Sequence, residues 1–466
     1  MFNRFQFDIR KIFGRRCYQY FAAVFGSLSI LSSEMHFGWP SSSLPQLTNN
    51  GTYFIQVTKE ESSWLAVGIF PGIVFGAILS NFLADKLGRK KIILLCALPL
   101  FISWATLAMA NCFYVMFLAR FLGGMGGGLS FSTVPMYLGE ISEPQIRGFL
   151  SSLCPIFVVT GILLINLFGI YLPINECALW ASSIPLLMFC TFFWMPESPV
   201  FLMTCGKYEQ AVSNLKMLRG KEEGEKEYVR LTKDLTETMQ EQKKGPSTFL
   251  DLFRVPVNRR ALIIALGLRS VQQFCGSTAI TFYCKSIFEE FGGIISGNSG
   301  TIIYFSLQMV LTIATSLVVD KFGRRPIFIV SLLGTTITLF MISIYLVIKE
   351  HTDWDLTSAS SVPILGLLLN IVFFSIGVRN VPLLVMSEIF HPKIKPLALC
   401  FGTIYYGILA IVVTKFYNLT NELVEMACPM FVFAFLCLIC LVVYYFFVPE
   451  TKGKTLEDIQ RMLSED

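Results

Sequence analysis

The charged residues best placed to do chemistry in this chain lie in short polar segments, and each segment occurs twice. Asp85-Lys86-Leu87-Gly88-Arg89-Lys90 returns as Asp320-Lys321-Phe322-Gly323-Arg324-Arg325. Glu140, followed by Arg147, returns as Glu388, followed by Lys393 and Lys395; Pro196-Glu197-Ser198-Pro199 returns as Pro449-Glu450-Thr451. The order is kept, and the steps from 85 to 320, 140 to 388 and 197 to 450 are 235, 248 and 253 residues. Such residues do electrostatic work rather than bond-making. Arg89, Arg324 and Arg325 offer forked donors to carboxylates such as Glu140, Glu197, Glu388 and Glu450. Asp85 and Asp320 can accept from neighbouring arginines or face a helix N-terminus, and Gly88 and Gly323 permit a tight reversal. An exposed ion pair is worth roughly 0–1 kcal/mol. Several together reach the few kcal/mol that separates two conformations of a switch. One copy would serve equally as a static anchor; two copies in register predict a gate.

Long apolar stretches must carry these segments. Hydrophobic residues make up 54% of the 466 and charged residues 15%, and the mean hydropathy is +0.62. A soluble chain of this length would need more charge, so the bilayer is the expected solvent. A spanning helix needs roughly 20 mostly apolar residues. Windows of that kind fall at 18–39, 62–84, 91–110, 112–135, 149–171 and 177–195, then at 260–286, 299–319, 326–348, 362–388, 397–417 and 427–448. Six and six match the repeat. The fold expected is an all-α membrane protein of twelve transmembrane helices in two six-helix bundles, an architecture that can rock and so transport. The expected division is a cytoplasmic N-terminal segment 1–16, a first bundle 17–202, a cytoplasmic helical linker 203–258, a second bundle 259–448 and a cytoplasmic tail 449–466.

Arg4, Arg10, Lys11, Arg15 and Arg16 precede the first window and place the N-terminus inside. That window is long for a signal-peptide core and lacks a cleavage site, which predicts a retained helix. An even number of spans brings the C-terminus back inside. The loops predicted inside hold Lys86, Arg89, Lys90, Lys91, Arg147, Lys321, Arg324, Arg325, Lys393 and Lys395; those predicted outside hold little beyond Lys59 and Lys349. The net charge of +5 is therefore read as membrane topology and not as a nucleic-acid footprint. Two glycosylation sequons, at Asn50 and Asn418, fall on the outside by this count. Cys112 and Cys177 lie near outer loops, where pairing is open; Cys437 and Cys440 sit on a hydrophobic helix, where packing is expected. The charged run 222–244 reads as amphipathic cytoplasmic helix or a solvated spacer. No nucleophile–base–orienter set, metal-ligand cluster or GxxxxGK[ST] phosphate loop emerges, so no enzyme activity, catalytic residue, cofactor or metal is expected.

Further motifs resemble those of a known family. Arg120-Phe121-Leu122-Gly123-Gly124, Pro196-Glu197-Ser198-Pro199, Gln272-Gln273-Phe274-Cys275-Gly276 and Pro449-Glu450-Thr451-Lys452-Gly453 are similar to those of the sugar porters of the major facilitator superfamily, over essentially the whole chain. Gly38-Trp39 and Val413-Thr414-Lys415-Phe416 resemble the facilitated trehalose and hexose transporters of insects. The resemblance implies a plasma-membrane transporter for a sugar (trehalose, a hexose or a related polyol), alternating between outward- and inward-open states without ATP. A non-transporting sugar sensor and a proton-coupled symporter remain the alternatives.

In such porters the sugar lies at the bilayer midplane, contacted mainly by the second half. Its hydroxyls donate and accept, and uncharged amides can answer either way. The resemblance carries substrate contact onto Gln272 and Gln273, with Gln308 and Asn166 as further amides that are costly to turn toward lipid. It places Tyr283 as an outer lid and assigns Arg120 and Arg147 to the charge network. Elsewhere the family pattern is rewritten. Its seventh-helix Asn is Thr278, its fifth-helix Gln is Pro155, and its eleventh-helix Asn-Trp pair is Tyr406-Gly407. Val200 replaces an arginine, and Asn81 and Ser316 replace loop glycines. The tenth-helix Gly-Pro hinge and tryptophan give way to Gly377-Val378-Arg379-Asn380-Val381-Pro382-Leu383, which predicts a lost hinge and a changed pocket including Asn380 and Tyr406. Arg379 is unexpected inside a span and should face a cavity, a partner or an anionic substrate. Glu34 and His36 are candidate partners for Arg120 or carriers of a coupled proton.

Overall fold

The computed structural model describes residues 16–48, 55–220, 224–225, 227–232, 251–291, 295–318, 323–352, 359–390, 394–447, 450, 454, 458–459 and 461–462. Among the described residues there is helix and no strand, and nine helices are long and apolar enough to cross a membrane. They supply the second (Lys59–Leu87), third (Arg89–Ala108), fifth (Pro144–Tyr171), sixth (Ile174–Phe192), eighth, ninth (Arg324–His351), tenth, eleventh and twelfth (Ala427–Phe447) spans. The eighth is Gly297–Val318 and the eleventh Lys395–Leu423.

The three remaining spans explain themselves. The first, Cys17–Thr48, buries Ser27, Ser29, Ser32, Ser33, Ser41, Ser42 and Ser43 inside the protein. The fourth, Phe113–Ile141, carries a buried glycine face. The seventh is in three pieces, Pro256–Phe274, Ser277–Phe282 and Cys284–Phe291, the first break falling at Gly276, which takes a left-handed φ of 68°, and the second at Tyr283. A helix walled by protein need not be lipophilic, so interior spans are the ones hydropathy recognises least well.

Packing in the first half is closest between the second and fourth spans. A side chain at Gly72 or Gly76 would strike the Phe121 or Met125 carbonyl, and one at Gly124 or Gly128 the Ile69 or Ile73 carbonyl. Two small-xxx-small faces thus meet reciprocally, the means by which apolar helices approach in the absence of water.

The first helix runs past the expected 39 to Thr48, through Pro40 and Pro45. Pro40 has no N–H to give the His36 carbonyl, and Arg120 Nη1 donates to that carbonyl instead. The second span bends at Gly68, and Arg120 also donates to the Leu65 and Ala66 carbonyls at 3.0 and 3.1 Å. One buried guanidinium therefore satisfies backbone freed on two helices, as a bilayer interior demands.

The tenth span keeps its hinge, against the expectation that it was lost. It is broken between Val362–Ile376 and Val381–Ile389. Ser331 of the ninth span bridges the break, accepting from Val378 N–H at 2.9 Å and donating to the Phe373 carbonyl at 2.6 Å. Pro382 begins the second piece. The span breaks here without the Gly-Pro pattern, and the Ser331 hydroxyl takes up one N–H and one carbonyl of the break.

The halves meet through the fifth and eighth spans, the second and eleventh, and the first and seventh. Lys415 Nζ donates to Ser63 Oγ at 2.6 Å and stands 3.7 Å from the Trp64 ring centroid. Phe282 meets Phe37 and Phe70 at 4.8 and 5.9 Å between centroids. These contacts close the end of the molecule opposite the duplicated loops.

Candidate functional site

At the loop end the two halves repeat one arrangement. Arg89 Nε donates to Glu140 Oε1 at 3.1 Å, and Arg324 Nη2 donates to Glu388 Oε1 at 3.2 Å. Glu197 accepts from the Lys90 N–H at 3.0 Å, and Glu450 accepts from the Arg324 and Arg325 N–H groups, each at 3.0 Å. Each of these two glutamates thus lies at the start of a spanning helix, where its charge meets the positive end of the helix dipole. The forked donors expected to reach Glu197 and Glu450 are backbone amides instead. Gly88, with φ of 93°, is required there, since a Cβ would press on the Glu197 carboxylate.

Other members of the network differ in their partners. Asp85 lies 3.5 Å from Arg89 and is exposed. Arg325 donates to the Tyr445 carbonyl at 2.6 Å, and Arg147 reaches the Ser142 carbonyl at 3.5 Å. Asp320 and Asn50 lie outside the described residues. Asn418 lies within the eleventh helix and is half-buried. Among the cysteines, all are free thiols, Cys112 exposed and Cys177 buried.

The linker helix Tyr208–Arg219 docks on the first half. Buried Arg219 donates to the Ile141 carbonyl at 2.5 Å and pairs with Glu227. Gln19 bridges Glu143 and the Leu218 carbonyl. On its exposed face a 2.6 Å contact with Lys216 holds the Glu225 carboxyl below its usual range, through the hydrogen bond first and the charge second.

The amides lie on the fifth, seventh and eighth spans, each of which meets the other half. Gln272 is fully engaged: its Nε2 donates to the Val378 and Arg379 carbonyls at 3.2 and 2.7 Å, and its Oε1 accepts from Arg269 Nη1 at 3.0 Å. Gln273 is wholly buried; its Oε1 accepts from Thr278 at 2.9 Å, while its Nε2 has no partner. Gln308 Oε1 and Asn166 Oδ1 are likewise buried and unpartnered, although Asn166 Nδ2 donates to the Ile162 and Gly38 carbonyls. Buried polar atoms without partners are rare in folded proteins and mark places where a ligand can bond.

Tyr406 lies under the Arg269 guanidinium, 5.1 Å from its ring centroid, and engages Thr278. Tyr283 stacks on Tyr417 with centroids 5.1 Å apart, its hydroxyl unpartnered. Asn380 sits in the tenth-span turn, its N–H donating to the Gly377 carbonyl at 3.1 Å. The seventh, tenth and eleventh spans therefore bring Gln272, Gln273, Thr278, Tyr406 and the Arg379 backbone together; Tyr283 lies at the closed end.

Two readings of the sequence need correction. Arg120 is held by three carbonyls, not by Glu34 or the His36 ring. The His36 ring stacks on Trp104 at 3.6 Å and meets Ser103 at 3.0 Å through Nε2. Glu34 instead lies within electrostatic reach of Arg379 of the other half. Arg269 was missed. Its signal was an arginine inside the 260–286 window, one helical turn before Gln272.

Comparison with known proteins agrees with this architecture. Residues 11–463 match the family described as sugar (and other) transporter. The facilitated trehalose transporter Tret1 of Bombyx mori is 32% identical over 95% of this chain and 86% of its own length. That of Culex quinquefasciatus is 31% identical, with the same two shares. The proton:xylose symporter XylE, bound to 6-bromo-6-deoxy-D-glucose, superposes with a TM-score of 0.76 at 22% identity, covering 96% of this chain and 100% of that one. The inward-open conformation of XylE from E. coli gives 0.78 at 21%, covering 95% and 99%. The chain is therefore a multi-pass membrane protein of the sugar transporter family, built on the twelve-helix major facilitator fold, and not an enzyme.

Proposed function

We propose that this protein carries its sugar down a gradient across the plasma membrane by rocking two half-bundles about the Gln273–Gln308 region. The observation that carries the reading is the set of buried, unpartnered amide atoms at the junction of two halves whose loop ends repeat one ion-pair arrangement. Amides offer both donors and acceptors, which suits hydroxyls. The loop end is assigned to the cytoplasm on the cations it carries, and the Lys415–Ser63 end then faces outward. Both chain termini fall inside on that assignment, with bundles at 17–202 and 259–448. The test is uptake of labelled trehalose, glucose, fructose and their acidic and reduced derivatives into vesicles holding the purified protein. Saturable flux without an ATP or proton requirement supports the reading. Sugar binding with no flux of any of them replaces the transporter with a sensor.

A further inference from the structure

The polar set at the junction contains more positive charge than a neutral sugar explains. Arg269, on the seventh span, is 8% exposed, yet its Nη1 meets only an amide oxygen, its guanidinium lies over the Tyr406 ring, and its Nε has no partner. Arg379, on the tenth span, contributes a second guanidinium within electrostatic reach of Tyr406 and Tyr304. Among the described residues Glu34 is the one carboxylate within electrostatic reach of Arg379, and none is within reach of Arg269. One positive charge is left in excess, on an arginine with an unpartnered donor. Arg120 does not enter this balance, because backbone carbonyls on two helices hold it.

A guanidinium inside a span is costly unless it faces a partner, and a planar fork is the side chain that best matches a carboxylate. Two further buried atoms without partners, Gln273 Nε2 on the seventh span and Gln308 Oε1 on the eighth, are one donor and one acceptor, the complement of ring hydroxyls. We infer that the junction binds an acidic sugar, a hexuronate or a carboxylate of similar size, with its anionic group toward Arg269 and Arg379 and its hydroxyls toward Gln273 and Gln308. The inference rests on the sugar-transport reading and narrows its substrate class.

The experiment compares uptake of labelled D-glucuronate and D-glucose by the full chain in proteoliposomes at pH 7 and reports the ratio of kcat/KM values. The ratio does not depend on how much of each variant is folded. A ratio of at least ten for the unaltered protein, falling to about one in Arg269→Gln and in Arg379→Gln, is expected. Glu34→Gln removes the offsetting carboxylate and should raise the ratio at least threefold. Uptake of D-glucose with a ratio of one or less overturns the acidic-sugar inference and leaves sugar transport standing. A high ratio unmoved by either arginine variant, or lowered by Glu34→Gln, overturns the assignment of these residues. Flux of no sugar, charged or neutral, overturns both readings.

Discussion

Lys415 and Ser63 join the two halves of the transporter through a 2.6 Å hydrogen bond, with the Lys415 ammonium also 3.7 Å from the Trp64 ring centroid. A cation over an indole, partly removed from water, is worth about 1–2 kcal/mol. Lys415→Met should therefore raise the population open at this end roughly 5–30-fold. The check is the labelling rate of a cysteine introduced by Phe282→Cys, using a membrane-impermeant thiol reagent added outside. An unchanged rate would remove Lys415 from the closure.

Gln272 and Gln273 are adjacent but differ in what remains free. Every polar atom of the Gln272 amide is bonded within the protein, whereas Gln273 Nε2 has no partner. Gln273→Ala should weaken sugar binding more than tenfold with a small change in the Tm of the empty protein. Gln272→Ala should lower that Tm, because the Arg379 carbonyl and Arg269 lose their partner at about 1–3 kcal/mol. Calorimetry with and without sugar separates the two. Equal effects in both columns would contradict the distinction.

The loop-end pairs close within their own halves, Arg89 on Glu140 and Arg324 on Glu388. Their effects on stability should then add. Arg89→Ala and Arg324→Ala should give a double variant whose loss of unfolding free energy equals the sum of the two single losses, to about 0.5 kcal/mol. A large coupling between them would mean that the two pairs share a partner across the halves in the working cycle.

The glycines of the second and fourth spans make a sharper stability prediction. Gly76→Leu would drive a side chain into the Met125 carbonyl, and Gly124→Leu into that of Ile69. Overpacking of this kind typically costs 1–3 kcal/mol or more, so either variant should fail to reach the membrane surface in normal amount. Gly148, whose Cβ would meet open space, is the control: Gly148→Ala should express as the unaltered protein does.

Much of the fold was legible because hydropathy and the repeat are properties of sequence alone. The twelve windows and the paired segments around Arg89 and Arg324 could be read without coordinates. Partners were harder. Arg120 is tied to carbonyls that Pro40 and Gly68 set free, and a free carbonyl leaves no mark on a residue pattern. Glu34 is on the first span and Arg379 on the tenth, so their meeting depends on how two bundles face each other. The tenth-span hinge was misjudged for a related reason. Ser331, on a different helix, takes up the Val378 N–H and the Phe373 carbonyl at the break. Arg269 was visible as a charge within a span, and its value became clear only beside Tyr406 and Gln272.

The central claim is that the halves must part at the Lys415–Ser63 end once per cycle. The direct measurement is sugar flux through a Ser63→Cys, Lys415→Cys protein before and after linking the pair with a short bifunctional thiol reagent, in a background where exposed Cys112, Cys190 and Cys205 are serine. The account predicts that flux stops when the link is complete and returns when the link is cleaved. Undiminished flux through fully linked protein would contradict it.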